Sequence, residues 1–170
     1  IGIPFCPSIC SYCSFSSYPL ARYKEKVDMY LDALIKEIDY VADALADREL
    51  NSVYIGGGTP TTLEPAQMDR LLGRVRQKFD FSCVREFTVE AGRPDSITED
   101  KLKVMAGHGV TRMSINPQTM NQKTLDIIGR RHTVEDIKSA FAIAREQGFD
   151  NINMDFIVGL PEENIDDVKY

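Results

Sequence analysis

The chain has 170 residues, of which 43% are hydrophobic and 27% charged, ordinary usage for a folded globular domain and unlike a disordered, collagenous or disulfide-dense chain. Lys and Arg number 20 against 26 Asp and Glu, a net charge of -6, which argues against wholesale binding to nucleic acid or to an anionic membrane. The longest apolar runs, such as Phe156 to Leu160, are far too short to span a bilayer, so a soluble protein is expected.

In chain order, Ile1 to Ile3 is a short apolar run stopped by Pro4, which predicts a brief strand entering a loop that holds Cys6, Cys10 and Cys13. From Tyr23 to Ala46, apolar residues recur at three-and-four spacing (Val27, Leu31, Leu34, Ile38), the pattern of a helix with one buried face. Val53 to Ile55 reads as a strand closed by Gly56, Gly57 and Gly58, and Pro65 opens a helix with Met68, Leu71, Leu72 and Val75 on its apolar face. Phe87 to Val89 is a third strand, and Thr98 caps a helix reaching Ala106. Arg112 to Ile115 is a fourth strand. A short helix near Lys123 to Ile128 precedes a longer one capped by Thr133 and ended by Gly148, and Ile152 to Ile157 is the last strand.

Strands that alternate with helices imply parallel pairing through right-handed crossovers. A complete eight-unit barrel takes about 250 residues, so the pattern predicts an α/β fold that is either an open sheet or part of a barrel. In both, ligands sit at the carboxyl ends of the strands. Cys6, Gly57, Glu90, Gln118 and Asp155 fall at or near those ends. The chain opens at Ile1 rather than Met and stops at Tyr170 in what reads as a new helix, so it is expected to belong to a longer protein.

Of the 4 cysteines, Cys6, Cys10 and Cys13 crowd one loop and Cys83 stands apart. Loops that short cannot staple a domain, so the thiols point to a reducing compartment and to a metal or redox role. Thiolates are soft ligands for zinc or iron–sulfur clusters. Three thiolates on a four-iron cluster would keep one iron free for a ligand. A zinc site completed by Cys83 or by a residue outside the chain, or simply buried thiols, are the other readings that the spacing allows.

Cys6-Pro-Ser-Ile-Cys10-Ser-Tyr-Cys13 resembles the CxxxCxxC signature of radical S-adenosylmethionine (SAM) enzymes, with an aromatic before the third Cys. Gly56-Gly57-Gly58-Thr59-Pro60-Thr61, Ser114-Ile115-Asn116-Pro117-Gln118, Gly129-Arg130-Arg131-His132-Thr133 and Asp155 to Pro161 follow in the order of motifs seen in the oxygen-independent coproporphyrinogen III oxidase/dehydrogenase branch, and look most like its variant in Gram-positive anaerobes.

The resemblance implies a partial (β/α)6 TIM-like barrel, of which residues 1–170 would cover about five units, the sixth strand and a C-terminal substrate-covering domain lying outside the chain. It implies a 4Fe-4S cluster on Cys6, Cys10 and Cys13, with SAM chelated to the fourth iron and cleaved by an electron to a 5′-deoxyadenosyl radical. In this branch that radical leads to oxidative decarboxylation of coproporphyrinogen III propionates to vinyls. Gly57, Gly58 and Thr59 would contact the methionyl end of SAM, Tyr12 its adenine region, and Glu90, Gln118, Arg130 and Asp155 its polar groups, with Ile157 and Val158 near the adenine. A flavodoxin or ferredoxin would donate the electron to a cytoplasmic monomer. Related radical SAM chemistry (haem ring opening or methyl transfer), a haem chaperone role and a bare metal-cluster-binding module are the alternatives. His132 is expected to hydrogen-bond locally, His108 to sit in a connector and Cys83 to be a free or half-buried thiol. Arg93 and Pro94 carry no expected role, and Asn116-Pro117 replaces the Gly-Val pair common elsewhere in the family.

Overall fold

The computed structural model describes residues 1–169, so Tyr170, where a new helix is expected to continue, lies outside the described residues. Five parallel strands form the main sheet: β1 (Gly2–Ile3), β4 (Ser52–Gly57), β5 (Glu86–Gly92), β6 (Arg112–Gln118) and β7 (Ile152–Phe156), in that spatial order. The order never reverses. Each right-handed crossover therefore advances in the same direction and leaves its helix on the same face, the winding of a barrel rather than of a doubly wound sheet.

The crossovers carry α2 (Val27–Ala44), α3 (Pro65–Lys78), α4 (Glu99–Gly107) and α6 (Val134–Glu146), with a short α5 (Gln122–Ile127) before the last and α7 (Ile165–Lys169) after β7. Thr98 accepts from Lys101 N–H at 3.4 Å as the cap of α4, and Thr133 forms a capping box with Asp136 on α6, as their sequence positions require. Pro65 is the first residue of α3, where Glu64 and Gln67 add a second capping box.

Two elements depart from expectation. The helix expected from Tyr23 is broken into α1 (Leu20–Tyr23), a 3-10 turn over Lys24–Lys26, and α2. The turn contributes no apolar side chain to the core, so nothing holds it in register with the buried face that begins at Val27. The cysteine loop also contains a small parallel pair, β2 (Phe5–Cys6) with β3 (Tyr18–Pro19). Tyr18 N–H donates to Pro4 O at 2.8 Å, which closes the loop that carries Cys10 and Cys13.

Side chains alternate along the strands, as the two-residue period demands. Val53, Ile55, Phe87, Val89, Met113 and Ile115 pack under the helices with Leu31, Leu71, Leu72, Leu102 and Met105. Tyr54, Glu90, Arg112, Asn116 and Asp155 stand at the intervening positions, so the other face of the sheet is polar. The sheet register shifts between Val89 and Gly92 and again between Ile115 and Gln118, both near the carboxyl ends. Such bulges re-aim side chains next to binding sites.

Candidate functional site

A cavity of about 130 Å³ opens at the carboxyl ends of the strands. Its walls include Cys6, Cys10 and Cys13 from the loop after β1, Gly57 ending β4 with Gly58 and Thr59 after it, Glu90 on β5, Gln118 on β6, and Tyr12 and Arg130. These are ten of the eleven positions expected from the sequence. Asp155 is the exception. It is exposed on the edge strand β7, takes a hydrogen bond from Asn153 at 2.8 Å and does not line the cavity. It stands on the same face of the sheet as Glu90 and Tyr54, whose hydroxyl its charge helps to raise, but no strand lies beyond β7 among the described residues to bury it. Ile157 lines a neighbouring hollow with Gln118 and Phe156, and Val158 is 75% exposed.

The three thiols share the same cavity without closing on one point. Among the described residues no three His, Cys, Asp or Glu side chains are drawn together for a single metal ion. Cys83 is free and exposed in the turn before β5, at the amino end of the sheet. That removes the zinc reading in which Cys83 completes the set, because the strand length separates it from the cysteine loop. Burial pushes the Cys6 thiol up, with Thr59 opposing and the nearby Cys13 and Cys10 reinforcing the rise. Binding a cation at the three sulfurs would reverse this tendency.

The backbone comes close where the glycines stand. Gly57 has φ +108, and a Cβ there would meet Ile3 O at 3.0 Å. A Cβ on Gly58 would meet Phe5 O at 2.7 Å and Cys6 Sγ at 2.9 Å. Only glycine permits the strand end to lie against the cysteine loop in this way. Thr59 donates its hydroxyl to Cys6 Sγ at 3.6 Å, and Gly58 N–H donates to Ile3 O at 2.7 Å.

Around this floor sit the polar groups. Glu90 accepts from Gly57 N–H at 3.3 Å. Its other neighbour is Tyr54, whose hydroxyl is pushed up to about 12, first by burial and then by its hydrogen bond to Glu90. Sequence reading treats Tyr54 as a strand residue; the two-residue period, which puts it on the same face as Glu90 across β4 and β5, is the signal that finds it. Gln118 has φ +70, a left-handed conformation uncommon for a residue other than glycine and one that gathers at functional sites.

Arg130 is buried, donating to Tyr12 Oη at 2.7 Å and to Asn116 O at 2.9 Å. Its guanidinium is therefore spent mostly on the protein, and Nε has no partner among the described residues. Burial raises the Tyr12 hydroxyl, against the pull of Arg130.

Three expectations need correction. His132 is 1% exposed and neither ring nitrogen has a hydrogen-bond partner among the described residues, so the local hydrogen bond expected of it is not made. Burial first, and then the Arg130 cation, lower it to about 4, leaving it neutral near pH 7. Arg93, which carried no expected role, is 3% exposed and lines the cavity. It grips Asp95 through Nε and Nη2 at 2.9 and 2.7 Å. His108 is also more than a connector: as the residue ending α4 it pairs Nε2 with Asp69 of α3 at 2.7 Å.

Three thiols around one cavity, glycine backbone lying against one of the sulfurs, and hydrogen-bond donors directed at two of them suit a cluster larger than one ion. That combination, at the carboxyl ends of a singly wound parallel sheet, defines a cluster-dependent α/β barrel. The profile of the radical SAM superfamily matches residues 1–170, and the chain belongs to that superfamily, whose members use a 4Fe-4S cluster and SAM.

Among its relatives, the oxygen-independent coproporphyrinogen-III oxidase-like protein HemZ of Bacillus subtilis (strain 168) is 42% identical over 173 residues, covering 100% of this chain and 34% of its own length. The haem chaperone HemW of the same organism is 37% identical over 171 residues, covering 100% of this chain and 44% of its own. The solved coproporphyrinogen III oxidase HemN of Escherichia coli superposes with a TM-score of 0.90 at 34% identity, over 99% of this chain and 38% of that one. The chain thus spans between about a third and a half of the length of these relatives. No described helix is long and apolar enough to cross a membrane.

Proposed function

We propose that the chain is the cluster- and SAM-binding core of a radical SAM enzyme that oxidatively decarboxylates propionate side chains of coproporphyrinogen III to vinyls in haem biosynthesis. The observation that carries this is the meeting of Cys6, Cys10 and Cys13 with Gly57, Gly58, Glu90 and Gln118 around one cavity. A metal module alone has no need of the last four. Likeness in sequence to the coproporphyrinogen oxidase of Salmonella typhimurium, 36% identical over 96% of this chain, supports the choice of substrate.

In this reading Cys6, Cys10 and Cys13 are the residues that would hold a 4Fe-4S cluster. The glycine turn lets main-chain groups approach the methionyl end of SAM. Glu90, oriented by Gly57 N–H and Tyr54, offers a carboxylate acceptor to an ammonium or ribose hydroxyl, and Gln118 offers a neutral amide beside it. Arg130 keeps Tyr12 over the opening, where its ring excludes water. When bound, the cluster and SAM supply reductive C–S cleavage and hydrogen-atom abstraction from the propionate. Each propionate would then lose carbon dioxide and one electron, the electron passing to a one-electron acceptor such as an oxidised iron–sulfur or flavin carrier. A flavodoxin or ferredoxin delivers the initiating electron in a cytoplasmic setting, and the segment beyond residue 170 covers the substrate.

Anaerobically reconstituted full-length protein, reduced and given SAM with coproporphyrinogen III, should yield 5′-deoxyadenosine, methionine and successive losses of carbon dioxide plus two hydrogens by mass spectrometry. Deoxyadenosine without decarboxylation would reject the substrate while leaving the radical chemistry. The 37% identity to a haem chaperone favours a second reading, in which the same core serves haem transfer. Tight stoichiometric haem binding with no decarboxylation would establish it instead.

A further inference from the structure

Buried arginines need partners for their charge, and Arg93 is 3% exposed. A guanidinium has five N–H groups in a rigid fork. Two grip the carboxylate of Asp95, at 2.9 Å from Nε and 2.7 Å from Nη2. The remaining nitrogen, Nη1, lies 2.7 Å from Ser8 Oγ and 3.8 Å from Cys10 Sγ. The cation is thus aimed by its carboxylate partner at one sulfur of the cysteine loop.

The backbone behind it is equally fixed. Arg93 N–H donates to Ala91 O at 2.8 Å, and Arg93 O accepts from Ser96 N–H at 3.0 Å and from Ser96 Oγ at 2.8 Å. Lys101 reaches across from α4 to donate its ammonium to Ser96 O at 3.1 Å and Thr61 O at 2.7 Å. A buried, satisfied polar network of this kind rigidifies what it holds. It is an expensive construction for a residue with no task, since a buried pair contributes little net stability over apolar replacements.

We infer that Arg93 is a positioning residue for the cluster, holding the Cys10 thiolate in place and, through its charged N–H···S bond, raising the potential at which the cluster accepts its electron. The inference rests on the cluster assignment of the proposed function. The physical reason is that an added electron increases the negative charge on the sulfurs, and a fixed donor aimed at one of them stabilises the reduced state more than the oxidised one. Cys6 receives only the neutral hydroxyl of Thr59. Cys10 and Cys6 therefore differ, one facing a charged donor and the other a neutral one.

The test uses full-length protein with its reconstituted cluster, without SAM, and reads iron content and the midpoint potential by EPR-monitored titration. The double variant Arg93→Gln with Asp95→Asn replaces the ion pair by an amide pair of similar shape, so neither charge is left buried alone. Where its cluster assembles, its electron affinity should be lower about tenfold, ~59 mV for a one-electron couple. Arg93→Lys, which retains charge but loses the fork, should fall between the two. An unchanged midpoint in the double variant with full iron overturns the inference. Loss of iron with an intact circular dichroism spectrum, recovered in Arg93→Lys, supports the holding role. Should the double variant fail to fold, Ser8→Ala leaves Cys10 as the sole acceptor near Nη1 and should move the potential upward, and no movement overturns the inference. Failure of the unaltered protein to bind iron would instead remove the cluster assignment itself.

Discussion

Arg130 and Tyr12 are 118 positions apart in the chain, yet the Nη2 of one donates to the hydroxyl of the other at 2.7 Å. The bond ties the cysteine loop to the turn after α5, where Ser11 N–H also donates to Ile128 O at 3.1 Å. The loop is therefore held from both sides, by β3 on one and by residues 128–130 on the other.

Tyr12→Phe removes the acceptor while leaving the ring. Arg130 then keeps only Asn116 O, with a buried N–H unpaired. Leaving such a donor without a partner costs about 1–3 kcal/mol, and urea denaturation of the cluster-free protein should show a loss in that range. Unchanged stability would mean that the bond contributes nothing net.

Gly58→Ala tests the close approach of β4 to the cysteine loop. Two of the clashing atoms, Phe5 O at 2.7 Å and the Pro4 carbonyl carbon at 3.0 Å, belong to backbone and cannot swing aside. Overpacking of this kind costs roughly 1–3 kcal/mol. Because the third atom is Cys6 Sγ at 2.9 Å, iron content after reconstitution should fall together with stability. A variant that loads iron fully would show that the loop can retreat without cost.

The cysteines divide into two groups with opposite expected behaviour. Cys13→Ala should abolish or sharply reduce iron loading, whereas Cys83→Ser, altering an exposed thiol in the turn before β5, should leave iron content and SAM cleavage as they were. Colorimetric iron assay of both variants distinguishes the assignment from any that recruits Cys83.

His132 predicts an acid-side loss of stability. Its pKa falls from an ordinary 6.5 to about 4 in the folded chain, through burial first and then the Arg130 cation. Between those values the unfolded chain binds a proton that the folded chain refuses, so stability is complete above 6.5 and declines as the pH falls toward 4. The full decline is on the order of 3 kcal/mol. Denaturation of the cluster-free protein between pH 7 and pH 4 should show it, and His132→Leu should flatten that part of the curve. An equally steep curve in the variant would place the loss elsewhere, in carboxylates such as Asp95 or Asp136 that are held low by their partners.

Local patterning was enough for most of the architecture. The helix faces at Val27 to Ala42 and Met68 to Val75, the caps Thr98 and Thr133, and all five strands of the main sheet follow from periodicity and end signals that act within a few residues. The small β2 and β3 pair did not, because two strands of two residues carry no period to read. Ten of the expected site positions line one cavity because they lie in short contiguous motifs that the strand order brings to the same end of the sheet.

What the sequence by itself determined is the kind of chemistry: three soft ligands on one loop, glycines where backbone must come close, and polar residues at the ends of parallel strands. Which of those residues face one another was decided only by the tertiary structure. Arg93 met Cys10 through a bond spanning 83 positions, and Tyr54 met Glu90 across two strands. Asp155, by contrast, was left at an exposed edge. The physical reason is range: propensity and spacing act over one or two turns, whereas the partner of a buried charge is chosen by the strand order and register that bring distant segments together.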